Sequence, residues 1–362
     1  MSYHVLDLSL VTRKMLLLSP TARADAIAGL VRSADNAAAL APFISRNCDM
    51  SAAEEAATVL IFVGGGGVLA SLFALIGYAA FAASWQILAT VIAILVGLAV
   101  HPIPLSITGL PTVLTSPILL LLFRYFSFRV VWTGGRDLRE REKASGVSLA
   151  YAIPHGVFPF GNLLSVPALH LLNIRFVGTS ADVVHSIPVM RWLTCLGVVS
   201  ASKATILRHL DRGTHVGLVP DGIAGIFYTR DVNEVVPVRS RMGAAKLALE
   251  NGLTLQPAYL FGNTLPYSVW YDSGGHMMRW SRRLRVMLAI IWGRWGLPVP
   301  RRVPITFALG DALVVPKAEG AVDDAAVAKV HGELLERLQQ TFGRFAEAYG
   351  WSGQDGRKLE FV

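Results

Sequence analysis

From Ala56 to Phe123 the chain carries no Asp, Glu, Lys or Arg. So long a charge-free run is rare in a soluble domain, whose helices and strands need a wetted face. Val59–Ala83 and Ile87–Thr108 are each long enough to cross a bilayer core, which takes about 20 apolar residues. Ser84, Trp85 and Gln86 make a tight connection between them, and Gly64–Gly67 permits close helix–helix approach. Pro102, Pro104, Pro111 and Pro117 interrupt the end of the run, so Ile107–Phe123 reads as an interfacial segment. The expectation is an N-terminal transmembrane helical hairpin; a buried soluble hairpin is the alternative. Arg13, Lys14, Arg23, Arg32 and Arg46 precede the run, and Arg124, Arg129, Arg136, Arg139 and Arg141 come after it. Two basic flanks put both ends on the cytosolic side by the positive-inside bias.

Three segments result: a polar, mildly amphipathic stretch at 1–55, the membrane hairpin and interfacial segment at 56–123, and a globular body at 124–362. The first stretch is Ala-rich and reads as short helices near the membrane surface or as a tail. Its short apolar run Met15–Leu18 is no signal-peptide core. The net charge is +8, which suits an anionic membrane surface or a phosphate-bearing ligand. Nucleic acid fits worst, because the arginines are scattered and no zinc-ligand set or RNA-binding aromatic motif accompanies them. Cys48 and Cys195 lie far apart, so no disulfide framework is implied and the body suits a reducing compartment.

In the body, Val147–Ile153, Arg175–Gly178, His215–Val219, Leu255–Phe261 and Ile305–Leu309 read as strands. Ser202–Arg212, Met242–Asn251 and Asp323–Tyr349 read as helices. Strands alternating with helices predict an α/β body with a largely parallel sheet and flanking helices.

Four segments could carry chemistry. In Ile153–Asn162 (IPHGVFPFGN), His155 lies just past a strand end, where ligands gather in open α/β sheets. Gly156 leaves room for a substrate, and an imidazole there can take a proton from an attacking hydroxyl. Alone, a Pro-His-Gly can equally be a histidine that caps a turn. Asp221 comes after the strand ending at Val219 and could orient or charge-balance His155, or make a local Asx-turn. Arg239, Arg241 and Lys246 surround a small-residue helix start that suits phosphate, or else form a solvated charged face. Gln256–Asn263 reads as a strand ending in a glycine turn, which brings Asn263 and Tyr267 to the same sheet edge as His155. Arg279, Arg282, Arg283 and Arg285 precede an apolar run flanked by Trp280, Trp292 and Trp295. That stretch reads as a surface that docks on a membrane without crossing it, or as a soluble-core helix.

Taken in order, these segments resemble the type-2 diacylglycerol acyltransferase family, which also holds monoacylglycerol and wax-alcohol acyltransferases. Ile153–Asn162 matches its Pro-His-Gly motif and adjoining apolar loop, closest to the plant and algal branch. Val183–Thr205 is similar to its next block, with Pro188, Arg191, Trp192, Leu196 and Gly197 in register. Arg241, Gly243 and Lys246 fall on its Arg-x-Gly-x-x-Lys/Arg positions. Pro257, Phe261, Gly262 and Tyr267 fall on its Pro-x-x-x-Phe-Gly…Tyr positions. Gly310–Ala312, Val315-Pro316 and a long helix with His331-Gly332 match its C-terminal part, and the hairpin is a family feature too. Three positions depart: Ile153 stands where relatives usually carry His, Tyr or Glu, Ala244 where they carry Phe, and Gly225 where they often carry Glu. Here the acid comes four residues earlier, as Asp221.

The resemblance implies an acyl-CoA-dependent O-acyltransferase with a glycerolipid-acyltransferase-like fold, acting on diacylglycerol, with monoacylglycerol or long-chain alcohol as alternative acceptors. His155 would be the general base, with Gly156 and Asp221 beside it. Arg239, Arg241 and Lys246 would hold acyl-CoA, and Phe158, Asn162, Asn263 and Tyr267 would line the lipid pocket. No cofactor or metal is implied, since acyl-CoA is a substrate and no metal-ligand cluster stands in the sequence. Partners would be membrane lipids and the two substrates, and nothing opposes a homo-oligomer. The implied location is the endoplasmic reticulum membrane, with the catalytic domain facing the cytosol, and also lipid droplets. A lipid hydrolase is a poorer fit, because the chain has no Gly-x-Ser-x-Gly elbow. A non-catalytic lipid-droplet protein is the other alternative, and the intact Pro154-His155-Gly156 argues against it.

Overall fold

A computed structural model describes residues 2–64, 78, 85–100, 110–186, 191–228, 233–272, 274–284, 287–351 and 356–362. In chain order its strands are β1 (Tyr3–Asp7), β2 (Arg32–Ala34), β3 (Arg129–Thr133), β4 (Ser148–Ile153), β5 (Phe176–Ser180), β6 (Val198–Ser200) and β7 (His215–Leu218). They continue with β8 (Glu234–Val236), β9 (Thr254–Phe261), β10 (Ser268–Trp270), β11 (Ile290–Trp292), β12 (Thr306–Leu309), β13 (Leu313–Val314) and β14 (Leu359–Phe361). The main sheet has the order β2-β1-β3-β12-β9-β4-β7-β5-β6, with β13 on β9. The block β9-β4-β7-β5-β6 is parallel throughout. On its other side β12 is antiparallel to β9 and parallel to β3.

Strand β4 lies in the middle and is buried along its whole length, as a strand covered on both faces must be. Its side chains alternate between two cores. Leu149, Tyr151 and Ile153 face the long helix Asp324–Tyr349 and the helix Gly243–Asn251. Ala150 and Ala152 face the helix Phe160–Leu171. The long helix is delimited by its caps. Asp323 accepts a hydrogen bond from the Ala326 N–H at its start, and Gly350, with φ of 90°, ends it in a left-handed turn.

One expectation differs from this arrangement. The stretch 1–55 is joined to the body: β1 is a strand of the main sheet, antiparallel to β3. A five-residue strand whose partner lies more than a hundred residues away leaves little local signal. Among the described residues no helix is long and apolar enough to cross a membrane. Trp85–Val100 is apolar, with 16 residues described, and the residues on both sides of it lie outside the described ones. Residues 65–77, 79–84 and 101–109 of the expected hairpin lie outside the described residues.

The C-terminus is tied to the body through a buried carboxylate. β14 pairs with β8 in parallel. Glu234 of β8 is 2% exposed. It accepts hydrogen bonds from Thr264 Oγ1 at 2.9 Å, Tyr259 OH at 3.1 Å and Arg357 Nη1 at 3.0 Å. Burial pushes the Glu234 carboxyl up, and its Thr264, Arg357 and Tyr259 partners pull it back. Arg357→Ala should therefore destabilise the fold by about 3–5 kcal/mol, the usual cost of leaving a buried charge unpaired. Adding Glu234→Gln should restore part of the loss, because a neutral amide needs no counter-charge. Thermal melts of the two variants check this; an unchanged melting temperature in Arg357→Ala would contradict it.

Candidate active site

Three neighbouring parallel strands end at one edge of the sheet, in the order β9, β4, β7. His155 comes after β4, Asn263 after β9 and Asp221 after β7, so side chains distant in sequence converge where substrates collect in such sheets.

The loop after β4 is clamped from both sides. The Asn263 side chain is 1% exposed. Its Nδ2 donates to the carbonyls of Pro154 (2.8 Å) and His155 (2.9 Å), and its Oδ1 accepts from the Gly161 N–H (2.8 Å). On the other side Asp221, also 1% exposed, accepts the His155 backbone N–H on Oδ2 at 2.7 Å. Gly156 fits between these partners only without a side chain. Its φ is +67° and a Cβ would stand 2.3 Å from the Asn263 carbonyl oxygen.

The half-buried imidazole of His155 has a defined tautomer. Its Nδ1 lies 2.8 Å from the Gly156 carbonyl. A carbonyl can only accept, so Nδ1 carries a hydrogen and Nε2 is the nitrogen turned away from this contact. Nε2 is the ring nitrogen for which the described residues supply no hydrogen-bond partner.

Asp221 meets the backbone of His155, not its ring, whose Nδ1 is already engaged by Gly156. This is unlike the triad arrangement that the sequence allowed. Burial pushes the Asp221 carboxyl up, and the nearby His155 opposes the shift. Gly225 packs directly on this carboxylate, since a Cβ there would stand 2.3 Å from Asp221 Oδ2. An acid at 221 and a side chain at 225 thus compete for one space. That is a steric reason for glycine at 225 in a chain that carries Asp221.

Of the residues expected to line a lipid pocket, Phe158 and Tyr267 surround Phe160, with ring centroids 4.6 Å and 6.2 Å from it. Burial pushes the Tyr267 hydroxyl up. Asn162 Oδ1 accepts from Asn263 Nδ2 at 3.2 Å. The Asn263 amide is spent on the loop, so its visible role is to position His155. Arg239, Arg241 and Lys246 are exposed at the start of the helix Gly243–Asn251, whose N-cap Met242 offers no side-chain acceptor. Arg239 Nε donates to the Phe361 carbonyl at 2.6 Å. The carboxylate of Glu234 belongs to Arg357, not to Arg241. Pro188 lies outside the described residues.

Sequence reasoning missed Tyr151 and the buried face of His331. Burial pushes the Tyr151 hydroxyl up; the charge of Asp221 adds to the shift and that of Arg241 opposes it. The Tyr151 ring meets His331 edge-on at 6.4 Å. Tyr151 OH, Asp221 Oδ1 and His331 Nδ1 are buried and have no hydrogen-bond partner among the described residues. A tyrosine in an otherwise aliphatic strand was the available signal.

A sequence model of the diacylglycerol acyltransferase family matches residues 125–361, and the chain belongs to that family. It is similar to human acyl-CoA wax alcohol acyltransferase 2, with 29% identity over 190 residues, covering 48% of this chain and 56% of the relative. It is similar to human diacylglycerol O-acyltransferase 2, with 28% identity covering 45% and 46% of the two chains. Against diacylglycerol O-acyltransferase 2A of Umbelopsis ramanniana it shows 23% identity, covering 70% and 83%. The matches to the wax alcohol acyltransferases span little more than half of those relatives' length. No solved structure matches the chain.

The Asp221 geometry makes a prediction that separates backbone positioning from ring charge balance. Asparagine keeps an oxygen for the His155 N–H, whereas alanine leaves that donor unsatisfied, at about 1–3 kcal/mol. Asp221→Asn should keep the fold and most of the turnover, and Asp221→Ala should lose both. Equal damage in the two variants, at equal melting temperature, would favour a charge acting on the ring.

Proposed function

We propose that the chain is an acyl-CoA-dependent O-acyltransferase that converts diacylglycerol and acyl-CoA to triacylglycerol and coenzyme A. The observation that carries this reading is His155 Nε2, which has no hydrogen-bond partner among the described residues while Nδ1 donates to the Gly156 carbonyl. Nε2 takes the proton of the acceptor hydroxyl as its oxygen attacks the thioester carbon. Backbone N–H groups around Gly156 stabilise the tetrahedral oxyanion. The C–S bond then breaks, and the coenzyme A sulfur leaves as a thiolate that takes up the transferred proton. Family membership supports acyl transfer as the reaction class. Relatives named for both wax alcohol and diacylglycerol keep long-chain alcohol and monoacylglycerol as alternative acceptors.

The donor is assigned to the basic helix start. Diacylglycerol is uncharged and coenzyme A brings several phosphates, so Arg239, Arg241 and Lys246 have a use only for the donor. An open surface recess of about 380 Å³, lined by Lys246, Glu250 and Lys317, adjoins this helix. The acceptor enters from a membrane in which the charge-free run anchors the protein, at the cytosolic face of the endoplasmic reticulum, with lipid droplets as a second location. Phe158, Asn162 and Tyr267 take part in the acceptor pocket.

Two measurements test the proposal. Expression in cells lacking neutral-lipid synthesis should lead to accumulation of triacylglycerol, and His155→Ala should lower the rate by roughly 10²–10⁴-fold at equal abundance. Accumulation of wax esters alone would move the acceptor to a long-chain alcohol, and near-normal transfer by His155→Ala would overturn the mechanism. Arg241→Ala should raise the apparent KM for acyl-CoA and leave that for the acceptor nearly unchanged, because a contact far from the reacting carbon acts mainly on binding. A lowered melting temperature with a normal donor KM would mark Arg241 as structural.

A further inference from the structure

The segment from Ser268 to Leu297 takes no part in the chemistry above, yet it packs against the loop that performs it. β10 and β11 pair so that Trp270 lies opposite Ile290 and Val269 opposite Ile291. Side chains alternate along a strand. Val269 and Ile291 therefore pack inward, while Trp270 and Ile290 point outward, 53% and 58% exposed. A two-stranded ribbon with large apolar groups on both faces has no side suited to water.

The helix His276–Leu284 divides in the same way. Met277 and Met278 pack on the cluster of Val157, Ile226 and Phe227, whose Val157 is the residue after Gly156. Arg279, Trp280, Arg282 and Arg283 are exposed. The Arg283 guanidinium lies over the Trp280 ring at 5.7 Å, and Arg294 lies over Trp295 at 4.3 Å. Trp295 and Leu297 are themselves 64% and 52% exposed.

The other flank of the His155 loop is the helix at 52–64, which leads into the charge-free run. Its Phe62 packs on Phe160 at 5.7 Å, and its Leu60 and Val63 are exposed. Glu55 on this helix forms salt bridges with Arg294 and Arg302. One anchored frame thus carries exposed apolar side chains on both sides of the histidine loop.

We propose that Trp270, Trp280, Ile290, Trp295 and Leu297, with Arg279, Arg282 and Arg283, form a surface that docks on an anionic phospholipid bilayer. Docking holds the entrance to His155 at the membrane, where an apolar acceptor is dissolved. This rests on the reading that the acceptor is a membrane lipid. Charge and chemistry favour a bilayer over a protein partner. Tryptophans and arginines side by side are the composition of a membrane interface. Arg279 meets the His276 imidazole and Arg283 the Trp280 ring, and among the described residues no carboxylate pairs with either. The Asp272 carboxylate is spent on the N–H groups of His276 and Met277, each at 2.7 Å.

The test uses the full chain reconstituted in vesicles of phosphatidylcholine, with or without phosphatidylserine. Brominated acyl chains should quench part of the tryptophan fluorescence, and the variant with Trp270, Trp280 and Trp295 all replaced by Phe should lose that part. One cation at an anionic surface shifts a surface equilibrium by roughly fivefold. The apparent KM for acceptor, as mole fraction, should therefore fall by about that factor or more when phosphatidylserine is added. Arg279→Gln/Arg282→Gln/Arg283→Gln should match the wild type in neutral vesicles and lose the response to phosphatidylserine. Unaltered quenching in the tryptophan variant, or an intact phosphatidylserine response in the arginine variant, would overturn the proposal. Absence of acyl transfer in every preparation would overturn the proposed reaction instead, while the quenching measurement still decides the docking.

Discussion

The site depends on one side-chain amide. Asn263 bonds two consecutive carbonyls after β4 and the N–H of Gly161 at the start of the next helix. With Asp221 on the His155 N–H, it fixes the histidine loop between the ends of three strands. Each of these polar groups is buried, and each would cost free energy if left alone. The loop is therefore determined by its neighbours, and the imidazole inherits an orientation that its own local sequence cannot impose.

The same logic runs outward from the site. Next to Asn263 stands Thr264, whose hydroxyl meets Glu234. Glu234 is held by Arg357 near the C-terminal strand. A chain of satisfied polar groups thus links the C-terminal strand to the histidine loop. On the opposite side, aromatic contacts from Phe62 to Phe160 and on to Tyr267 link the loop to the helix that enters the charge-free run. The histidine sits between a polar lattice and an apolar one, which suits a reaction joining a phosphate-bearing donor to an oily acceptor.

Much of the body was legible in the sequence. Apolar runs ending in Gly, Pro or Asn marked β4, β5, β7, β9 and β12 within one or two residues, and the helices Lys203–Asp211, Gly243–Asn251 and Asp324–Tyr349 likewise. These elements carry strong local periodicity and clear caps. β1, β8 and β14 are short, and their pairing partners are remote, so no local pattern announces them. In the site, the placement of His155, Asp221 and Asn263 at one edge could be read from strand order. The atoms they meet could not, because the direction of a carboxylate or an amide is set by loop backbone angles. The lone tyrosine of β4 shows the same limit: its environment of Asp221, Arg241 and His331 is assembled only by the fold.

The central claim is that His155 Nε2 faces the acceptor hydroxyl. A structure of the full chain with a non-reactive acyl-CoA analogue and a bound acceptor tests it most directly. The acceptor oxygen is expected within about 2.6–3.2 Å of Nε2, the reach of a general base, with the thioester carbon beyond it and the His155 Nδ1–Gly156 contact retained. An acceptor hydroxyl bound to a different base, or an imidazole whose Nε2 is engaged by the protein, would contradict it.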